Sequence, residues 1–146
     1  MYQRILVAID GSEHASHALN SAVESAAKWG AELIILTVIP PMYPLLYSEE
    51  FDAQYVDDLE GDLEKYHQKI LSEAEENVKN RHPTLKYVTR LKRGRPSSVI
   101  VNTANIENVD LIVMGSRGLG GMSGWVLGST SRRVVETCEK PILIVK

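Results

Sequence analysis

Short, continuous apolar runs recur along the chain and are typical of strands buried on both faces of a parallel sheet. The first run covers residues 4–9 and ends abruptly in the turn residues 10–12, Asp-Gly-Ser. A different pattern holds for residues 87–91, where apolar and polar side chains alternate. Together the runs predict five strands, at residues 4–9, 32–38, 87–91, 110–115 and 141–145.

Between these strands the small and apolar residues recur at helical spacing, which predicts four helices. The first covers about 14–29 and is followed by Gly30, a typical residue after a helix end. Pro96 begins the third helix, which ends near Asn108, and the fourth covers 129–138. The second is amphipathic with its acids facing water, and its apolar positions are Leu59, Leu63, Tyr66, Ile70, Ala74 and Val78.

The alternation of strands and helices predicts a doubly wound α/β fold, a parallel sheet with helices on both faces, in a single domain over residues 1–146. A proline-rich loop at 40–48 precedes the second helix. Ligands of such sheets bind at the carboxyl ends of the strands, where the strand order reverses. We therefore expect the chemistry to follow the first, second and fourth strands.

Length and composition narrow the class of protein. The chain has 146 residues and is 44% hydrophobic, which suits one ordinary domain and excludes disorder as the main state. No apolar run approaches the roughly 18–20 residues of a membrane span, and the first run is too short for a signal peptide, so we expect a cytoplasmic location. A single cysteine, Cys138, excludes an internal disulfide and a cysteine-based metal cluster.

Charge is distributed unevenly along the chain. The formal net charge of −3 argues against broad nucleic-acid binding. Residues 48–80 carry eleven acidic and three basic side chains, net −8, whereas residues 81–146 carry four acidic and eleven basic ones, net +7. An anion site is therefore expected in the C-terminal half, the alternative being solvated faces of helices and strands.

A glycine-rich segment at 115–129 follows the fourth strand and leads into the fourth helix. Glycines let backbone N–H groups approach an anion, and a helix N-terminus adds further donors. Arg132 and Arg133 stand in the first turn of that helix without an acidic residue, which is unfavourable unless an anion is bound. The segment predicts a phosphate-binding loop in which Arg117, Arg132 and Arg133 favour di- and triphosphates. In the alternative interpretation, Ser129 caps the helix and the glycines form a flexible turn.

Other nucleotide-binding and catalytic motifs are missing from the sequence. No Gly-x-x-x-x-Gly-Lys-Ser/Thr occurs, the first strand-to-helix turn lacks Gly-x-Gly-x-x-Gly, and no Gly-x-Ser-x-Gly is present. These absences disfavour a P-loop nucleotidase, a dinucleotide-dependent dehydrogenase and a serine hydrolase.

Among single residues, Asp10 is the most informative. A carboxylate at the end of a buried strand can accept hydrogen bonds from sugar hydroxyls or an exocyclic amine, although a turn aspartate is the alternative. His14 and His17 lie three apart on one helix, but nothing nearby completes a metal site, so we expect surface residues. His67 and His82 fall in charged segments and no role is expected for them.

Three segments, residues 7–12, 110–118 and 141–145, resemble the universal stress protein family, and the resemblance spans the whole chain. In the ATP-binding branch the late loop reads Gly, two residues, Gly, nine residues, Gly, then Ser or Thr. Gly115, Gly118, Gly128 and Ser129 keep every spacing of that motif. The resemblance implies the adenine-nucleotide alpha-hydrolase-like fold with sheet order 3-2-1-4-5.

The resemblance also implies roles for individual residues. Asp10 is expected to contact the adenosine, the backbone of Val38 to face adenine, and the four motif residues to hold the ribose and phosphates. The full set expected at the nucleotide is Ala8, Asp10, Val38, Met114, Gly115, Arg117, Gly118, Gly128, Ser129 and Thr130. Mg²⁺ or Mn²⁺ is expected only through the phosphates, and the role of Arg117 is inferred from its charge alone.

The function expected from this resemblance is a dimeric, ATP-binding stress-response module that acts through protein partners. The homodimer is expected to form through the uncharged strand at 141–145, because an apolar sheet edge favours pairing with a second copy. One alternative is a slow ATPase or nucleotidyl transferase on the same site, although no general base or metal-holding cluster is evident beyond Asp10. Another is a nucleotide-free dimeric structural protein.

Overall fold

Helices and strands alternate through the described part of the chain in the predicted order. The computed structural model describes residues 1–42, 47–118 and 127–146, so the loop residues 43–46 and the glycine-rich residues 119–126 lie outside it. The elements are β1 (Arg4–Ala8), α1 (Glu13–Trp29), β2 (Glu32–Ile39), α2 (Ala53–Arg81), β3 (Tyr87–Arg93), α3 (Pro96–Ile106), β4 (Leu111–Gly115), α4 (Ser129–Thr137) and β5 (Ile142–Val145).

The described residues form one five-stranded parallel sheet of order β3-β2-β1-β4-β5, which confirms the expected order. Strand β1 lies at the centre, with Val7 in register with Ile35 of β2 and with Val113 of β4. From β1 the chain winds first toward β2 and β3, and later returns on the other side to β4 and β5. The carboxyl ends of β1 and β4 therefore border the crevice where the strand order reverses.

Both faces of the sheet are covered by helices, which explains why the central strands are apolar throughout. Helices α1 and α2 pack on the face that carries Ile5 and Val7. Helices α3 and α4 pack on the opposite face, against Leu6 and Ile112. With no side of β1 left to solvent, its apolar run contributes to two separate cores.

Local chemistry sets the ends of the helices. The Ser12 hydroxyl accepts a hydrogen bond from Ala15 N at 3.2 Å and caps α1, and Gly30 ends that helix at φ 64°, as predicted. Helix α3 ends at Ile106, two residues before the predicted end. The reason is that Asn108 adopts a left-handed φ of 51°, a conformation that stops helical propagation and that asparagine tolerates.

The buried stripe of α2 shares Ile70, Ala74 and Val78 with the predicted one and differs in its other members. Tyr66 is 45% exposed, whereas the neighbouring His67 is buried. The stripe runs through Val56, His67, Ile70, Leu71, Ala74 and Val78, with Leu59 and Leu63 half-buried. Although α2 is long, none of the helices in the described ranges has the length and apolar composition that crossing a membrane requires.

A carboxylate fixes the start of the central strand. Asp110, just before β4, accepts hydrogen bonds from the backbone N–H groups of Gln3 at 2.7 Å and Arg4 at 2.8 Å. These two bonds hold the pKa of Asp110 below its ordinary value, because they stabilise the ionised form. The sheet is therefore tied across β1 and β4 by a charge that protonation removes.

Substituting Asp110 tests this tie. Because the folded-state pKa is lowered, the stabilisation is present above the unfolded pKa of about 4 and is lost as pH falls through the folded value. Asp110→Ala should lower the free energy of unfolding by about 1 kcal/mol at pH 7, which is below the usual range for bonds to a charged group because water screens the site. Urea unfolding at a series of pH values measures this.

The matched control is Asp62→Ala, which removes an exposed carboxylate from α2. The difference between Asp110→Ala and the unsubstituted protein should shrink below pH 4, while the control stays close to the unsubstituted protein throughout. A constant difference from pH 7 to pH 2 would contradict the assignment.

Candidate functional site

A cavity of about 680 Å³ opens at the carboxyl ends of β1, β2 and β4, where the fold places ligand sites. Its walls come from both faces of the sheet and from the first turn of α4. The lining residues are Ala8, Ile9, Asp10, Ala15, Leu36, Val38, Pro40, His67, Pro96, Ile100, Met114, Gly115, Arg117, Gly118, Leu127, Gly128, Ser129, Thr130, Ser131 and Arg132.

All ten residues that the sequence nominates for a nucleotide line this one cavity. Those up to Gly118 come from the ends of three strands, and those from Gly128 onward come from the start of α4. They are up to 122 positions apart in the chain, since the first is Ala8 and the last Thr130. The parallel register brings them together, because it places all the strand ends at one edge of the sheet.

Asp10 both shapes the turn after β1 and faces the cavity. Its Oδ1 accepts a hydrogen bond from Ser12 N at 2.9 Å, so the turn role considered for this residue is confirmed. Its other oxygen, Oδ2, forms no hydrogen bond within the described ranges. One carboxylate oxygen therefore stabilises the turn after β1, and the other is left as an acceptor at the cavity wall.

Two of the motif glycines are required by the protein itself. A Cβ on Gly118 would lie 2.6 Å from Asp10 Oδ2, so the absent side chain lets the loop pass the carboxylate. A Cβ on Gly115 would lie 2.8 Å from His14 Cβ, at the start of α1. At Gly128 a Cβ meets ordinary contacts, the nearest being Arg117 Cα at 3.4 Å. Steric need inside the described chain thus explains Gly115 and Gly118 but not Gly128.

The first turn of α4 borders the cavity without a side-chain cap. The helix begins at Ser129 after Gly128, which has no side chain, so the alternative in which Ser129 caps the helix is wrong. Ser131 does not cap either, because its hydroxyl donates to the carbonyls of Ser116 and Gly128, both at 3.1 Å. No acidic residue stands in this turn. Its amide groups are therefore available to an anion in the cavity.

The Ser116 carbonyl fixes the position of this helix start. It accepts hydrogen bonds from Gly128 N at 2.8 Å and from the Ser131 hydroxyl. Ser116 N in turn donates to the Val145 carbonyl of β5 at 2.8 Å. The two ends of the glycine-rich segment are thus joined to each other and to the sheet.

The arginines separate into two groups. Arg117 and Arg132 line the cavity, whereas Arg133 lines a smaller cleft between α3 and α4 together with Asn102 and Thr137. The expectation that Arg133 acts together with Arg117 and Arg132 is therefore wrong, because Arg133 does not line the cavity. Successive helical residues point about 100° apart, and this step turns Arg133 away from the cavity toward α3.

One cavity residue, His67, was assigned no role from the sequence. It is 6% exposed and is the only residue of α2 among the described residues that line the cavity. The many acidic residues around it in the sequence suggest an exposed position, so they give no reason to place it in a site. Its spacing from Leu63, Ile70 and Ala74 is the helical spacing of a buried stripe, and this was the available signal.

Of the N-terminal histidine pair, His17 is exposed, as expected, and His14 is half-buried, and both make structural contacts. His14 Nδ1 lies 2.8 Å from Ser116 Oγ, and His17 Nδ1 lies 2.9 Å from the Lys146 carbonyl. Both residues thereby connect α1 with the ends of β4 and β5. Within residues 1–42, 47–118 and 127–146, no group of three or more His, Cys, Asp or Glu side chains could hold a metal ion.

Comparison with known proteins agrees with this architecture. The family model for the Universal stress protein family matches residues 1–146. The chain is similar to Universal stress protein YxiE of Bacillus subtilis (strain 168), with 34% identity over 153 residues and full coverage of both chains.

Solved structures of universal stress proteins have a similar fold. Universal stress protein UspA from Lactobacillus plantarum has the same fold, with a TM-score of 0.80, 24% identity and coverage of 99% of this chain and 98% of that one. A universal stress protein in complex with cAMP gives a TM-score of 0.73 and 29% identity, covering 99% and 97%.

Proposed function

The chain belongs to the universal stress protein family, and from this premise we propose that its cavity binds an adenine nucleotide, with ATP as the preferred ligand. The observation that carries the proposal is the combination, in one cavity, of an uncapped helix start with two arginines and an apolar wall with a carboxylate oxygen that accepts no hydrogen bond from the described residues. A nucleoside phosphate has the complementary parts.

The phosphates would lie at the start of α4. The amides after Gly128 can donate to phosphate oxygens, and the positive end of the helix dipole favours the negative charge. Arg132 lines the cavity at the same end, and Arg117 lies beside Gly118 in the chain. Charge-assisted hydrogen bonds from guanidinium groups are stronger than neutral ones, so this end favours ligands with more phosphate charge.

The nucleoside would lie toward β1 and β2. Asp10 Oδ2 is an acceptor of the kind that ribose hydroxyls need, and Val38 and Ile100 offer apolar surface for a base. The related universal stress protein in complex with cAMP supports an adenine nucleotide as the class of ligand. A divalent cation, if one accompanies ATP, would be held mainly by phosphate oxygens, since Asp10 is the one carboxylate in the described lining.

The role we propose is regulatory rather than catalytic. Asp10 is the one acidic side chain that the described cavity lining contains, and its Oδ1 already accepts a backbone hydrogen bond. A ligand at the α4 start would instead contact both ends of the glycine-rich segment, which the hydrogen bond from Gly128 N to the Ser116 carbonyl holds together, and would change the surface there. A partner protein could then distinguish the loaded from the empty state.

We also propose a homodimer through β5. This strand pairs with β4 on one side only, so the described sheet ends there with open backbone groups. Its residues are all apolar, and Leu143 is 40% exposed. Pairing with the same strand of a second copy would satisfy the backbone and bury that side chain.

Reversing one arginine charge tests the phosphate end. Arg132→Glu should weaken ATP binding about tenfold to a hundredfold, the effect of losing one or more charge-assisted bonds, and should change adenosine binding less than about twofold. Arg133→Glu is the matched control, because it makes the same charge change one residue away and outside the cavity. Titration calorimetry measures the affinities of the unsubstituted protein and both variants for ATP, AMP and adenosine.

Absence of ATP binding by the unsubstituted protein would overturn the proposed function. Equal losses in the two variants would instead assign the effect to general surface charge.

Leu143→Glu tests the dimer. Placing a charge at the exposed position of β5 should convert the dimer to a monomer at micromolar concentration, because a charge buried at the interface is unfavourable. Ile106→Glu is the control, since Ile106 is 70% exposed at the end of α3 and next to Glu107, which pairs with Arg90 of the opposite edge strand. Sedimentation equilibrium checks both, and a monomeric unsubstituted protein would refute the proposal.

A further inference from the structure

The buried histidine of α2 offers a polar atom to the cavity. His67 Nδ1 lies 2.8 Å from the Leu63 carbonyl, one turn earlier in the same helix. A carbonyl oxygen only accepts, so Nδ1 must carry the proton of this bond. In the neutral imidazole the other nitrogen, Nε2, is then an acceptor.

That second nitrogen has no hydrogen bond with any residue in the described ranges, although the side chain is 6% exposed and lines the cavity. Nε2 is not one of the fully buried side-chain atoms without a partner, which in the described ranges are Thr37 Oγ1 and Thr103 Oγ1. The helix fixes the ring through Nδ1 and so leaves Nε2 as the atom that a bound molecule can reach.

The position of His67 identifies the part of a ligand it meets. A Cβ on Gly11 would lie 3.1 Å from Ile70 Cδ1 and 3.3 Å from the Tyr66 hydroxyl, so this turn of α2 packs on the turn that follows Asp10. Helix α2 covers the same sheet face as α1, while α4 covers the opposite face. His67 is therefore on the wall away from the start of α4 and its arginines.

Resting on the proposed nucleotide site, we infer that His67 Nε2 accepts a hydrogen bond from the exocyclic amine of adenine and selects that base. The ribose hydroxyls are left to Asp10, whose Oδ2 is also an acceptor. Hypoxanthine carries a carbonyl where adenine carries the amine, so two acceptors would face each other in the inosine nucleotide. A site built around a hydrogen bond rejects an analogue that cannot form it.

The experiment compares ATP, ITP and 2′-deoxy-ATP affinities in four proteins by titration calorimetry. The unsubstituted protein should prefer ATP over ITP by about tenfold or more. His67→Phe keeps a ring in the buried position but has no acceptor, and it should reduce this preference to within about twofold. His67→Gln, which can place an amide near the Nε2 position, should restore part of it.

The matched control is Tyr66→Phe. Tyr66 precedes His67 and its ring lies 5.2 Å from the imidazole, but it is 45% exposed and does not line the cavity. This variant should keep the full preference for ATP. Thermal unfolding of all four proteins in the absence of nucleotide shows whether each is folded, and His67→Gln keeps the comparison informative if His67→Phe is not.

The outcomes separate this inference from the proposed function. No binding of ATP by the unsubstituted protein overturns both. ATP binding with an unchanged ATP-to-ITP ratio in His67→Phe overturns the role of His67 alone. A change in the ratio of ATP to 2′-deoxy-ATP, with the ITP ratio unchanged, would assign Nε2 to a ribose hydroxyl and also overturn base selection.

Discussion

The divergence of the chain on the two sides of β1 is the constraint on which the candidate site depends. Strands β1 and β4 pair in parallel, and the loop after β1 leads to α1 on one face of the sheet while the segment after β4 leads to α4 on the other face, so the two connections separate at this edge instead of covering it. The crevice that results is bordered by Asp10 on one side and by the segment beginning at Gly115 on the other. Without this separation the ten nominated residues would have no shared cavity to line.

Two glycines then determine which groups face the crevice, because they let neighbouring segments of the chain come close together. Gly118 allows the loop to pass within contact of the Asp10 carboxylate, and Gly115 allows α1 to begin beside β4. The Ser116 carbonyl holds the start of α4 against the same edge. An acceptor and a set of amide donors therefore face one space, which is the arrangement that a ribose and its phosphates require.

Hydrophobic pattern was sufficient for the elements but not for their arrangement. Buried runs such as that around Val7 predict strands because both sheet faces are covered, yet no periodicity determines which strand lies beside which. The order came from family resemblance, and the structure confirms it. The site residues at the strand ends could also be predicted from the sequence, because the carboxyl ends of parallel strands lie at one edge of the sheet.

The wrong sequence predictions concern two features: which side of a helix faces the core, and where local backbone geometry ends a helix. A stripe at 3.6-residue spacing accommodates steps of three or four, so Tyr66 was placed inside and His67 outside, the reverse of the structure. Arg132 and Arg133 could not be separated for the same reason. The end of α3 depended on the left-handed φ of Asn108, which the residue type permits but does not require.

The most direct test of the central claim, that an adenine nucleotide binds at the carboxyl edge of the sheet, is a map of backbone amide chemical shifts during titration with ATP. The account predicts the largest shifts at Gly118, Gly128 and Ser129, because their amides border the proposed phosphate position. Saturable shifts confined to the cleft between α3 and α4, at Asn102 and Arg133, would contradict it. So would the absence of any saturable shift at millimolar ATP.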